Sequence, residues 1–301
     1  MTQFDRRRFV QVGLAGGAAA AVTEHWLGDS SALGDELSEI GKTAHTKFAV
    51  NVEMWWHKLP FLDRLRKVSE FGFPAFEFWP YENKDIAAIA DLSQAKGIAV
   101  AQFTAWGFQP GMNDPRQENH FVEKIEEACG IAHQLNCSKM TVVAGNDQDG
   151  MTKAEMHKQV IKALRRAAPI AEREKVMLIL EPMNGRVDHP GHCLYGSGDA
   201  IAICRAVDSP FVKINWDLYH MQISEGDLCG HLRDGIDQDQ VGYLQLADHP
   251  GRNEPGTGEI HYNRVLREAL ALGYDGYVGL ECRPRTTELA AAKGVAAADV
   301  W

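Results

Sequence analysis

The sequence predicts a single (β/α)8 barrel preceded by an export segment, and three observations carry that prediction. From Lys47 onward, short apolar runs alternate with amphipathic helical patterns eight times. No linker, repeat or break in composition interrupts the alternation, which favours one closed barrel over separate domains. Four oxygen-bearing side chains, Glu181, Asp217, Gln245 and Glu281, recur at intervals of 36, 28 and 36 residues, each where an apolar run gives way to a polar loop. A barrel of about 250 residues shares its length among eight β/α units, so roughly 30 residues separate successive strands.

Strands are expected over residues 48–55, 75–79, 98–104, 140–144, 176–181, 212–217, 241–246 and 276–281. They are short, apolar and rich in β-branched or aromatic residues, as strands buried on both faces should be. Helices are expected over 60–71, 85–96, 119–135, 153–174 and 262–272. In the third, Phe121, Ile125, Ala128 and Ala132 fall at three- and four-residue steps and form one apolar stripe. Gly72, Gly97 and Gly273 stand where helices should end, since glycine accepts the left-handed conformation of a C-terminal cap. Residues 46–285 thus read as the barrel, and 286–301 as a final helix or a frayed tail.

With 45% hydrophobic and 24% charged residues, the 301-residue chain has enough apolar material for one large core. Its net charge of −10, with no Lys/Arg run in the body, argues against nucleic acid and anionic membrane as partners. The six cysteines show neither Cys-x-x-Cys pairing nor zinc-ribbon spacing, and read as small buried hydrophobes. Oxidation stays open to them if the protein is exported. Asp5-Arg6-Arg7-Arg8-Phe9-Val10-Gln11 resembles a twin-arginine export signal, and a Gly/Ala-rich stretch over residues 10–22 follows, too short for a settled membrane span. Residues 1–45 are therefore read as leader, and the mature protein as periplasmic or exported, with no stable membrane insertion. Without that signal it would be cytoplasmic.

The strand-end set points to chemistry. Buried carboxylates aimed at one point repel unless a cation or a shared proton neutralises them. Glu181, Asp217, Gln245 and Glu281 offer only oxygen, which favours Mg2+ or Mn2+ over Zn2+. His220, three residues beyond Asp217 on a strand end turning into a loop, is expected to donate to a substrate oxygen. Arg252 offers a planar fork to a substrate carboxylate, and the glycines around Thr257 permit close approach of a small anion. Residues 188–193 carry two histidines and a thiol, but Pro190-Gly191 marks a turn, so the stretch reads as a substrate-covering loop with His192 as a contact. Trp55, Trp56, Trp79, Tyr81, Phe103 and Trp106 cluster at the ends of the first three strands. They read equally as a pocket wall, with Trp106 against the substrate, and as barrel-mouth core or a contact between copies in a homo-oligomer.

Over residues 48–284 the chain resembles the hydroxypyruvate isomerase family, within the xylose isomerase-like barrels that include the tagatose and psicose 3-epimerases. The resemblance rests on Leu180-Glu181-Pro182-Met183-Asn184, Asp217-Leu218-Tyr219-His220, Gln245-Leu246-Ala247, Arg252-Asn253-Glu254-Pro255 with Gly258-Glu259, and Gly279-Leu280-Glu281-Cys282-Arg283-Pro284. It implies that Glu181 and Glu281 accept and donate the proton. The epimerases carry histidine where Gln245 stands, so the resemblance implies the isomerase branch. The expected reaction moves a carbonyl between adjacent carbons of a small hydroxy-keto acid, hydroxypyruvate to tartronate semialdehyde, through an enediolate. The rival readings are a sugar 3-epimerase or keto-sugar isomerase using the same glutamates, and a non-catalytic exported sugar-acid binding protein. A repair endonuclease of the same barrel type would need a nitrogen-rich zinc cluster and a basic face.

Overall fold

The computed structural model describes residues 37–301, so the expected export motif lies outside the described residues. Eight parallel strands close into a barrel in chain order: β1 (Lys47–Asn51), β2 (Ala75–Phe78), β3 (Ala99–Trp106), β4 (Lys139–Val143), β5 (Met177–Glu181), β6 (Val212–Asp217), β7 (Val241–Leu246) and β8 (Tyr277–Leu280). Closure comes from β8 pairing with β1, with Phe48 opposite Val278 and Val50 opposite Leu280. The connecting helices are α1 (Phe61–Glu70), α2 (Ile86–Lys96), α3 (Glu118–Gln134), α4 (Lys153–Glu174), α5 (Ser197–Val207), α6 (Leu218–Ser224), α7 (Leu228–Asp237), α8 (Tyr262–Ala271) and α9 (Glu288–Ala297).

Alternation along each strand sorts the side chains into two cores. Outward residues such as Phe48, Val50, Phe76 and Phe78 pack beneath the helices. Inward residues begin with a small apolar layer of Ala49, Ala75, Ala101, Ile179 and Tyr243. Above it lies a polar layer that includes Asn51, Glu77, Gln102, Thr141, Asn215 and Gln245, all at most 2% exposed. The helices start and stop on local chemistry. Asp85 caps α2 through the Ala88 N–H, and Thr152 with Glu155 forms a reciprocal capping box on α4. Gly72, Gly97 and Gly273 take φ of +75°, +64° and +94°, as their expected places at helix ends require.

Both ends of the described chain pack against the barrel. The leader was expected to run to residue 45, but the Gly41 N–H donates to Phe71 O at 2.8 Å, and a Cβ at Gly72 would lie 2.0 Å from Ser38 O. The chain is therefore seated against the barrel by residue 38. At the other end, α9 completes the eighth β/α unit and buries Ala291, Ala292 and Val295. Asp299 beyond it accepts the N–H groups of His45, at 2.7 Å, and Thr46, tying the last helix to the entry of β1. Among the described residues no helix is long and apolar enough to cross a membrane.

Candidate active site

The strand-end residues meet at the C-terminal mouth of the barrel, where sites on this architecture lie. Oxygen or nitrogen atoms of Glu181, Asp217, His220 and Glu281 all come within 4.8 Å of one another, and all four residues are buried. Asp217 does two things at once. Its Oδ1 caps α6 by accepting the Tyr219 N–H at 2.8 Å and the His220 N–H at 3.4 Å, while Oδ2 is buried with no hydrogen-bond partner among the described residues. The segment after Asp217 is thus a helix, where the sequence suggested a loop, because the aspartate satisfies the first free N–H groups of that helix. The cap swings His220 back until Nε2 lies 3.5 Å from Asp217 Oδ2 and 4.0 Å from Glu181 Oε1.

The proton on His220 can be placed. Asn184 Oδ1 accepts the N–H groups of Val187 and Asp188, both at 3.0 Å, so Nδ2 must be the atom 2.6 Å from His220 Nδ1. Nδ1 therefore accepts, and the proton of the neutral ring sits on Nε2, facing the carboxylates. Burial, and then Arg252, push the imidazole well below its usual pKa, which keeps it neutral. A protonated Nε2 is a hydrogen-bond donor and has no lone pair for a cation, so its 3.5 Å approach to Arg252 Nη2 is a contact between two donors and not a hydrogen bond.

The electrostatics follow from crowding. Burial, then Glu281 and Asp217, raise the Glu181 carboxyl well above the ordinary range. Burial and Glu281 do the same to Asp217. Two donors anchor Glu281: Trp79 Nε1 donates to Oε1 at 3.0 Å and Arg252 Nη2 to Oε2 at 2.6 Å. Arg252 Nη2 is also 3.8 Å from Asp217 Oδ2. Burial opposes the guanidinium charge, but Glu281 and Asp217 outweigh it and hold Arg252 ionised.

A cavity of about 320 Å3 opens above this group, lined by Glu181, His220, Arg252 and Glu281 on one side and by Trp79, Phe108, Val143 and Met183 on the other. Three expected contacts fall elsewhere. A register shift between Thr104 and Trp106 interrupts the alternation of β3, so the Trp106 indole packs edge-on against Phe121 of α3, outside the cavity. His192 is not at the cavity either. After the turn at Gly191 it pairs with Asn146 and sits behind Phe108, where burial and then His189 push it down to about 3. His189 lines the cavity instead, stacked on Phe108 at 4.8 Å. The glycines around Thr257 do approach an anion closely, but an internal one. Asp248 Oδ2 accepts the N–H groups of Gly256, at 2.9 Å, and Gly258, at 2.8 Å. Those donors brace the loop that carries Arg252 and are not free for substrate.

Gln245 stands beside Asp217 in strand register. Its amide reaches down into the polar layer, where Nε2 donates to Glu77 Oε1 at 2.8 Å. Burial, then Glu281, push the Glu77 carboxyl up to about 7, against hydrogen bonds from Gln245, Asn51 and Tyr243. The sequence reading gave no individual role to Glu77, Asn184 or Asp188. The first had a signal, an acid alone in the buried run Ala75-Phe76-Glu77-Phe78.

Residues 65–299 match the family described as the xylose isomerase-like TIM barrel. Hydroxypyruvate isomerase of Escherichia coli is 32% identical over 247 residues, 80% of this chain and 95% of that protein. This chain is a xylose isomerase-like TIM barrel of the hydroxypyruvate isomerase family. As a member it is an enzyme, an isomerase of the intramolecular oxidoreductase type. Within the family, 2-oxo-tetronate isomerase of Cupriavidus necator is 34% identical over 246 residues, 79% of this chain and 93% of that protein. Among solved structures, one described as AP endonuclease, family 2, from Brucella melitensis superposes with a TM-score of 0.76 at 27% identity, covering 82% of this chain and 96% of the other.

Proposed function

We propose that this isomerase interconverts a small 2-keto acid bearing a hydroxyl on the neighbouring carbon with its aldehyde isomer, as hydroxypyruvate with tartronate semialdehyde. The observation that carries the reading is the meeting of Glu181, Asp217, His220 and Glu281 within 4.8 Å beside the fixed cation of Arg252. The relatives named hydroxypyruvate isomerase and 2-oxo-tetronate isomerase support the acid as substrate class. A cavity of about 320 Å3 suits a three- or four-carbon acid.

The residues fit a divalent cation. Three buried carboxylates converge, and among the described residues Asp217 Oδ2 has no hydrogen-bond partner. Glu181, Asp217, Gln245 and Glu281 would hold it, and their all-oxygen donor set suits Mg2+ or Mn2+. When bound, such an ion draws off negative charge developing on the substrate's two oxygens.

Glu181 is the better proton acceptor of the two glutamates. Burial and the neighbouring carboxylates raise its carboxyl, which makes it the more basic group, and among the described residues no protein group donates a hydrogen bond to it, whereas Glu281 is held by Trp79 and Arg252. In the forward direction Glu181 takes a proton from C3 of hydroxypyruvate. The C–H electron pair forms the C2–C3 double bond, and the C2 carbonyl oxygen takes up the charge of the enediolate. His220 Nε2–H donates to that oxygen. The C3 hydroxyl proton then passes to the C2 oxygen, the C3 oxygen becomes the aldehyde carbonyl, and C2 receives a proton in place of the one Glu181 took, with Glu281 assisting its return. Arg252 holds the carboxylate, and Trp79 and Phe108 keep water from the reacting carbons.

Isomerisation followed by NMR in D2O tests this. Glu181→Gln is expected to lower kcat about 10²–10⁴-fold and to abolish deuterium incorporation at carbon. Full turnover with full exchange in both Glu181→Gln and Glu281→Gln would sink the reading. Activity on neutral ketoses but not on acids would favour the sugar epimerase instead.

A further inference from the structure

We propose that Glu77 is a positioning residue that fixes the amide of Gln245 so that its carbonyl oxygen, and not its NH2 group, serves the cation; this rests on the metal reading above. Glu77 is 0% exposed, one layer below the site. Its carboxylate accepts four side-chain hydrogen bonds, from Asn51 at 3.0 Å and Gln245 at 2.8 Å on Oε1, and from Gln102 at 3.2 Å and Tyr243 at 2.8 Å on Oε2. One of these orientations is set independently. Asn51 Oδ1 accepts the Glu53 N–H at 3.1 Å, so only its NH2 can face Glu77.

The fixed Asn51 NH2 makes Oε1 an acceptor, so Gln245, on the same atom, turns its NH2 toward Glu77 and its oxygen away. Asn215 Nδ2 meets that oxygen at 2.5 Å, and Asn215 in turn reaches Thr141, Thr141 reaches Gln102, and Gln102 returns to Glu77. Two arms of donors thus leave Asn215, one through Gln245 and one through Thr141 and Gln102, and both end on Glu77. Gln245 Oε1 keeps a second lone pair beyond the one Asn215 uses. Reversing the amide would replace that lone pair with N–H donors, which cannot ligate a cation. Space is made for the pair as well: a Cβ at Gly279 would fall 2.3 Å from Glu77 Oε2 and 2.8 Å from Gln245 Cγ.

A double-mutant cycle read by Mn2+ affinity, with free Mn2+ followed by EPR, separates this role from general damage. Glu77→Met removes the acceptor at similar length and is expected to weaken Mn2+ binding about 10–100-fold. In a Gln245→Glu background both terminal atoms are oxygen and no orientation is needed. There Glu77→Met is expected to cost less than about threefold, within the additivity of independent sites. Equal losses in both backgrounds, or no loss in either, overturn the proposal while leaving the metal site in place. A wild-type protein that binds no Mn2+ overturns the metal reading and this inference with it. If Glu77→Met does not fold by circular dichroism, Glu77→Asp, which withdraws the carboxylate by one methylene, takes its place under the same criteria. Failure of both to fold assigns Glu77 to folding alone and overturns the positioning role.

Discussion

Arg252 adopts φ +55°, a conformation that costs a residue with a Cβ about 1–3 kcal/mol and persists only where its surroundings impose it. The surroundings here are the Asp248 brace and the hydrogen bond from Arg283 N to Arg252 O at 2.9 Å. They place the guanidinium between Glu281 and the cavity, over the Tyr219 ring. Arg252→Lys keeps the charge but loses the planar fork. One charge-assisted hydrogen bond is worth about 1.5–3 kcal/mol, so KM for the keto acid should rise about 10- to 100-fold. Steady-state kinetics check this, and an unchanged KM removes Arg252 from carboxylate binding. Glu181, Asp217 and Glu281 were legible in the sequence because each ends an apolar run, where a carboxylate has no packing reason to be. Asn184 and Asp188 were not, because their meaning lies in contacts with His220 and Tyr219, more than 30 residues away, that only the closed barrel creates. Trp106 was misplaced because a one-residue shift in register reverses the face a side chain presents, and no local pattern announced it.

Between elements, the clearest electrostatic tie joins α3 to α4. Glu118, at the first position of α3, accepts from Arg166 Nη1 at 2.8 Å and Gln159 Nε2 at 3.1 Å, and pairs with Lys162 Nζ at 2.8 Å. Lys162 and then Arg166 hold its carboxyl down to about 2. The unfolded chain, with a glutamate pKa of about 4.3, takes up a proton first as pH falls. The tie therefore contributes fully above about pH 4.3 and is lost as pH drops toward 2. Lys162 and Arg166 are 64% and 42% exposed, and solvent screening reduces the contribution to about 1 kcal/mol. Glu118→Gln should lower stability by that amount at pH 7, with the difference from wild type vanishing in urea melts near pH 2. The helices themselves were readable from periodicity to within two residues in α1, α2, α3, α4 and α8. The turn into α6 was not, because the same Asp217 that ends β6 also caps the helix, leaving no loop between them to mark the boundary.

For the whole molecule, alternation alone was enough to predict eight strands in barrel order. It could not say how the ends are fastened, because that depends on two segments more than 250 residues apart. Asp299 is 2% exposed and accepts the N–H groups of His45 and Thr46 just before β1, while Trp301 stacks on His45 at 4.4 Å. The last helix thus holds the first strand in the closed ring, and residues 286–301 belong to the barrel. Asp299→Ala strips buried N–H donors of their acceptor, at about 1–3 kcal/mol. For a domain of this size the melting temperature should fall by a few degrees, measurable by calorimetry. A loss no larger than that of an exposed Asp→Ala control would mean β1 is held by strand pairing alone. The same fastening bears on export, which we infer from Arg6-Arg7-Arg8-Phe9 and which would carry the chain across already folded. Replacing Arg6 and Arg7 with lysine should retain the enzyme in the cytoplasm with its isomerase activity intact. Asp299→Ala, with the motif untouched, should lower the exported fraction only as far as it lowers the folded one. Fractionation with an activity assay separates the two, and a double-lysine variant still found outside the cytoplasm would exclude the twin-arginine route.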